Sequence, residues 1–130
     1  MLISHFPVLF CMVVLGSYFD TIRAVAGQRE PIILEIELRN DEQESKLVSL
    51  LIKVPFSLGF DSVGLMRETR RRIGYLKAGE EKKVPLPIYC KTNIKEGVYP
   101  IGIRAQIHPD KYDKVLKEIS HKAELRVISR

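Results

Sequence analysis

The sequence has no tryptophan, only two cysteines, and no charged side chain before Asp20. Two cysteines cannot build a disulfide scaffold. No apolar run reaches the roughly 18–20 residues of a spanning helix, which excludes a polytopic membrane protein. Cys-x-x-Cys and His-x-x-x-His pairs are both absent, and His5, His108 and His121 lie far apart. No zinc pattern is left to read. The Gly-x-Ser-x-Gly elbow and the Gly-Lys-Ser/Thr phosphate loop are missing too, so neither nucleophilic catalysis nor nucleotide binding has a motif. There is no Asn-x-Ser/Thr acceptor site.

What is present fits one domain. The chain has 130 residues, 45% of them hydrophobic, and a formal net charge of +5. That length and hydrophobic content suffice for a single core and exclude a mostly disordered chain. Residues 1–17 form an apolar N-terminal segment, read either as a signal or anchor or as a first strand. Phe6–Leu15 has the length of a signal-peptide apolar region, yet no Lys or Arg precedes it. The compartment accordingly stays open between the cytoplasm and the cell surface. A domain is expected over 18–130.

From Pro31 the hydrophobic period is two. Ile32, Leu34, Ile36 and Leu38 alternate with Glu35, Glu37 and Arg39, as in a strand with one buried face. Asn40 and the polar run to Ser45 give a turn. Lys46–Val54 repeats the alternation with Val48, Leu50, Ile52 and Val54 inward, and Pro55 stops it. Arg67–Tyr75 reads as a strand with a charged outer face or as a short helical turn. Lys82–Lys91 alternates again. Pro85 and Pro87 share one face there and remove two ladder donors, which places this strand at a sheet edge or bulges it. Val98–Ile107 and Lys122–Ser129 are the last strands. Between them, Tyr112, Val115, Leu116 and Ile119 have helical spacing and allow a short helical turn near 111–119. Together with a strand in Tyr18–Ala26, the expectation is all-β: one antiparallel immunoglobulin-like β-sandwich of about seven strands.

The turns carry a resemblance. Ala26-Gly27-Gln28 precedes a strand ending in Asn40. Ile73-Gly74-Tyr75-Leu76 leads into Ala78-Gly79-Glu80, and Glu96-Gly97-Val98-Tyr99-Pro100-Ile101 opens a later strand. Over about residues 18–130 this resembles the immunoglobulin-like sandwich modules of the CARDB type. It is also similar to the Ig-like modules appended to surface glycosidases and proteases of archaea and bacteria. The chain departs from that pattern in two places. Asp41, Glu42 and Glu44 stand where the family usually has Gly, and Lys111–His121 exceeds the usual hairpin. The resemblance implies a spacer or interaction module, not an enzyme, and implies no fixed set of binding residues.

The sharpest local feature is basic. Residues 66–83 hold seven basic side chains against three acidic ones, whereas residues 27–44 hold two against six. Arg67, Arg70, Arg71, Arg72 and Lys77 are therefore a candidate patch for an anionic partner. The competing reading is a solvated strand whose arginines pair with the acidic strand beside it. Cys90 falls on the apolar face of its strand, where a buried thiol is the default. A Cys11–Cys90 bridge would need export, and a metal shared by His108 and His121 would need the two to meet across a hairpin.

The expected function is a non-catalytic binding or structural module, with no cofactor, no metal and no catalytic residue. Its partner would be a protein or a second copy joined along a sheet edge. A membrane would be met only through residues 1–17 as an anchor. The alternative is a basic accessory subunit of an intracellular complex, holding nucleic acid or an acidic protein through Arg67–Arg72.

Overall fold

The computed structural model describes residues 13–21 and 23–129. Among the described residues nine strands form two sheets: β1 (Val13–Phe19), β2 (Ala24–Val25), β3 (Ile32–Asn40), β4 (Lys46–Lys53), β5 (Leu58–Gly59), β6 (Glu68–Leu76), β7 (Glu81–Cys90), β8 (Gly97–His108) and β9 (Lys117–Ile128). Seven are long and two are two-residue pieces. One sheet has the order β1-β3-β7-β5 and the other β2-β9-β8-β4-β6. Every pairing is antiparallel except the short β2–β9 pair. The chain is thus an all-β, immunoglobulin-like sandwich, and the described residues contain no helix.

The alternation sets the two inner faces. Ile32, Leu34, Ile36 and Leu38 of β3 with Leu86 and Ile88 of β7 form one. Val48, Leu50 and Ile52 of β4, Ile101, Ile103 and Ala105 of β8, and Leu125 of β9 form the other. All are almost fully buried. Each large aliphatic side chain so placed contributes about 1.5–3 kcal/mol of transfer free energy before chain entropy is subtracted.

β1 takes in residues 13–17, which alternation alone does not separate from the apolar segment before them. Residues 1–12 lie outside the described residues, and with them Cys11 and most of the signal-like stretch. Val13–Phe19 pair with β3 from Val13↔Asn40 to Phe19↔Leu34. The chain then crosses to the other sheet, where Ala24 and Val25 lie beside Val127 and Ile128.

Pro85 and Pro87 sit on β7, which pairs with β3 on one side and with two-residue β5 only at Tyr89 and Cys90 on the other. Both prolines thus fall where β7 has no outer neighbour among the described residues and no ladder donor is needed. The helical turn allowed near 111–119 is not formed. Lys111–Leu116 make an irregular turn, and β9 begins at Lys117, earlier than the alternation indicated. The long β8 offers backbone partners as far as Ile107↔Lys117, with Ile119 facing inward opposite Ala105. A ladder that satisfies every residue outcompetes one isolated helical turn.

Candidate anion-binding face

β6 is an outer strand of the five-stranded sheet and, among the described residues, pairs only with β4. Its arginines reach the outer face because of a bulge. Val48 lies opposite Gly74, but Ser49 lies opposite Arg72, so Ile73 is an extra residue. Leu76 points inward and is fully buried. In an unbroken strand every second residue faces the same way, which would turn Gly74, Arg72 and Arg70 inward as well. The bulge reverses that parity. Arg70 and Arg72 then stand beside Leu51 and Ser49 on the solvent side, while Leu76 still enters the core. Gly74 supplies the left-handed backbone, with φ at +88°.

The five candidate residues therefore do not form one patch. Arg70 and Arg72 share the outer face. Arg71, opposite Leu50, lies on the other side of the strand at the open flank of the sandwich. Arg67 precedes β6, with its guanidinium 5.0 Å from the centre of the Phe56 ring. Lys77 belongs to the next turn, where its N–H donates to Glu80 Oε1 at 2.8 Å. The acidic segment 27–44 supplies no partners for them. β3 is in the opposite sheet, with Glu35 and Glu37 across from Pro85 and Lys83. Among the described residues none of Arg67, Arg70, Arg71, Arg72 or Lys77 makes an ion pair. The reading in which the arginines pair with the acidic strand is thus corrected: the sandwich puts the two segments in different layers.

Around Arg70 and Arg72 a small site is built. Arg70 Nη1 donates to Gln106 Oε1 at 2.7 Å, and Gln106 Nε2 donates to Glu118 Oε2 at 2.8 Å. The Arg72 guanidinium lies 4.8 Å from the centre of the Tyr112 ring. Ser49, Arg70, Arg72, Gln106, Tyr112 and Val115 line a pocket of about 320 Å³. The same outer face carries Lys53, Arg70, Arg72, Arg104, Lys122 and Arg126 against Glu68, Glu118 and Glu124, as the register shows. It is the more positive face of the sandwich.

The pairing of Ser49 with His108 escaped the sequence reading, which weighed His108 only as a metal ligand shared with His121. Their strands are neighbours, and Ser49 Oγ lies 2.7 Å from His108 Nε2. His108 Nδ1 meets the Lys114 carbonyl, which can only accept, so Nδ1 carries the hydrogen. In the neutral imidazole Nε2 is then the acceptor of the Ser49 hydroxyl. The Tyr112 ring stands edge-on to the imidazole, with centroids 5.1 Å apart. Ser49 and His108 are almost completely buried. The pair fastens the 109–116 turn to β4 and thereby places Tyr112 beside Arg72. The signal in the sequence was weak: Ser49 stands among Val48, Leu50 and Leu51, and His108 follows Ile107 at the end of β8.

His121 does not meet His108. It faces the inner side of β9 opposite Ile103, with Nε2 2.9 Å from Ser17 Oγ of β1. Cys90 is buried, and its desolvation pushes the thiol above its ordinary range.

No family model matches the chain, and no curated protein matches it in sequence. Solved structures do match its fold. A FixG-related protein from Vibrio parahaemolyticus aligns with a TM-score of 0.56 at 11% identity, covering 88% of this chain and 95% of its own. AvmM, which catalyses macrocyclization in alchivemycin A biosynthesis, aligns with a TM-score of 0.54 at 8% identity over 88% of both chains. Self-complemented MyfA, the major subunit of Myf fimbriae from Yersinia enterocolitica, aligns with a TM-score of 0.50 at 10% identity, covering 89% of this chain and 98% of its own. At such identities the likeness is one of fold alone, and the differing activities of these proteins fit that limit.

Proposed function

We propose that this chain is a non-catalytic sandwich module, of the kind the CARDB-type resemblance implies, that binds an acidic protein segment on the outer face of its five-stranded sheet. The observation that supports it is the placement of Arg70 and Arg72. Both reach the same pocket, neither is in an ion pair among the described residues, and Tyr112 and Ser49 border them. Planar guanidinium groups suit carboxylates, which they meet with paired N–H donors.

The test is a titration with polyglutamate by calorimetry. Arg70→Ala with Arg72→Ala should weaken binding roughly tenfold or more, since a hydrogen bond to a charged group is worth about 1.5–3 kcal/mol. Arg71→Ala, on the other side of the strand, should stay close to the native value. Equal affinity of the native protein and the double variant removes the proposal. A single-stranded oligonucleotide binding more tightly, with a steep salt dependence, reassigns the face to nucleic acid.

A second reading is favoured by β1. It is an edge strand with no charged residue and no proline, and its outer side pairs with nothing in the described chain. Such an edge can receive another strand, including one from a second copy.

A further inference from the structure

The loop joining β4 to β6 exposes large apolar side chains in unusual number. Phe56 is 67% exposed, Val63 69%, Leu65 80% and Met66 50%, and no other loop of the described residues shows more than two such side chains. The exposure belongs to an organised backbone. Asp61 accepts hydrogen bonds through Oδ1 from the N–H groups of Leu65 at 2.9 Å and Met66 at 3.4 Å. Phe60 N–H donates to the Met66 carbonyl at 2.8 Å. Gly64 is buried with φ at +73°, and a Cβ on Gly59 would come 2.8 Å from the Gly64 Cα. The two glycines let the loop fold flat on itself, which turns Val63, Leu65 and Met66 away from the core.

Behind this apolar tip the charge is positive. Two cations approach the Phe56 ring, with Lys91 Nζ 3.4 Å and Arg67 Cζ 5.0 Å from its centre. The only acid between Pro55 and Arg67 is Asp61, whose carboxylate is occupied by the backbone. Glu68 is paired with Lys53 at 3.6 Å. Apolar side chains at a tip, beside cations that make no ion pair among the described residues, match one surface in particular. In a bilayer with anionic lipids, apolar groups enter the headgroup boundary while ammonium and guanidinium groups meet the headgroups. A second copy meeting tip to tip would oppose Arg67 and Lys91 to their own equivalents. We infer that the 54–67 loop, with Lys91, docks this protein on an anionic membrane surface.

The native chain has no tryptophan, so Leu65→Trp gives a single indole reporter in the full-length protein. With phosphatidylcholine–phosphatidylserine vesicles its emission should shift to the blue, and with phosphatidylcholine vesicles it should not. Salt near 1 M, where the Debye length falls to about 3 Å, should reverse the shift. In co-sedimentation, Val63→Ser, Leu65→Ser and Met66→Ser together should lower partitioning roughly tenfold or more. These side chains are exposed, so thermal unfolding of the triple variant should match the native protein. Arg70→Ala with Arg72→Ala should bind vesicles normally, which separates this surface from the pocket. Absence of a blue shift with anionic vesicles overturns the inference, and so does native partitioning of the triple serine variant. A dimer that the triple variant disperses, without vesicle binding, also overturns it and gives the tip to a second copy.

Discussion

Asn40 ends β3, and its amide serves three backbone groups. Nδ2 donates to the carbonyls of Glu44 at 2.9 Å and Leu76 at 2.8 Å, and Oδ1 accepts from Glu42 N–H at 2.9 Å. Its own N–H and carbonyl bond to Glu80 and Gly79 of the turn before β7. One fully buried side chain thus ties the 41–45 turn to the end of β6 and couples the two sheets. Asn40→Ala removes three hydrogen bonds and strands the buried Leu76 carbonyl. The expected loss is about 2–3 kcal/mol, seen as a lower urea midpoint with an unchanged slope. A midpoint within error of the native value would show that water replaces the amide. The turn at Asn40 was legible in the sequence, because Asn before a polar run is turn chemistry. Its tie to Leu76 was not, since the two residues meet only when two separate strands dock.

At the scale of elements, the bulge in β6 decides what the arginines do. Gly74 is the residue that permits it, and a Cβ there would meet nothing within 4 Å. Gly74→Ala therefore carries only the backbone cost of a left-handed conformation, about 1 kcal/mol, and should weaken polyglutamate binding by disturbing the placement of Arg70 and Arg72. Gly59→Ala should cost more, because its Cβ would press on the Gly64 backbone. Denaturation of the two variants side by side checks the order, and the opposite order would mean that the 54–67 loop yields more easily than β6.

Alternation found β3, β4, β7 and β8 because each has one face in the core and a regular ladder. It said nothing of the bulge, which changes parity just after the unalternating charged run Glu68–Arg72. It also missed the burial of Leu47, Ser49 and Leu51 on the outer side of β4. That burial comes from β6 and the 109–116 turn, whose positions depend on pairings dozens of residues apart. The candidate arginines could be named from the sequence, but which two share a face could not.

For the whole molecule the question is what closes its sheets. The β6 edge carries a bulge and arginines, and the β7 edge carries Pro85, Pro87, Lys82 and Lys83. Each of these devices hinders pairing with another chain. At the opposite flank β1 and β9 are fastened by the Ser17–His121 hydrogen bond, yet the outer side of β1 pairs with none of the described residues. Two copies joined antiparallel through β1 would form a symmetric contact centred near Gly16 and merge two four-stranded sheets into one of eight. Gly16→Lys tests that arrangement without harming the fold. A Cβ at Gly16 has open space, and Glu37 opposite it offers a favourable charge. In the symmetric pair, however, the two introduced ammonium groups would face each other. Sedimentation velocity over a range of protein concentrations should show a native dimer that Gly16→Lys dissociates, while at a concentration low enough for both proteins to be monomeric its melting temperature stays at the native value or rises. Native protein that remains monomeric at the highest soluble concentration would exclude pairing through β1. A dimer that survives Gly16→Lys would move the contact to another surface, with the exposed 54–67 loop the next to examine by the triple serine variant.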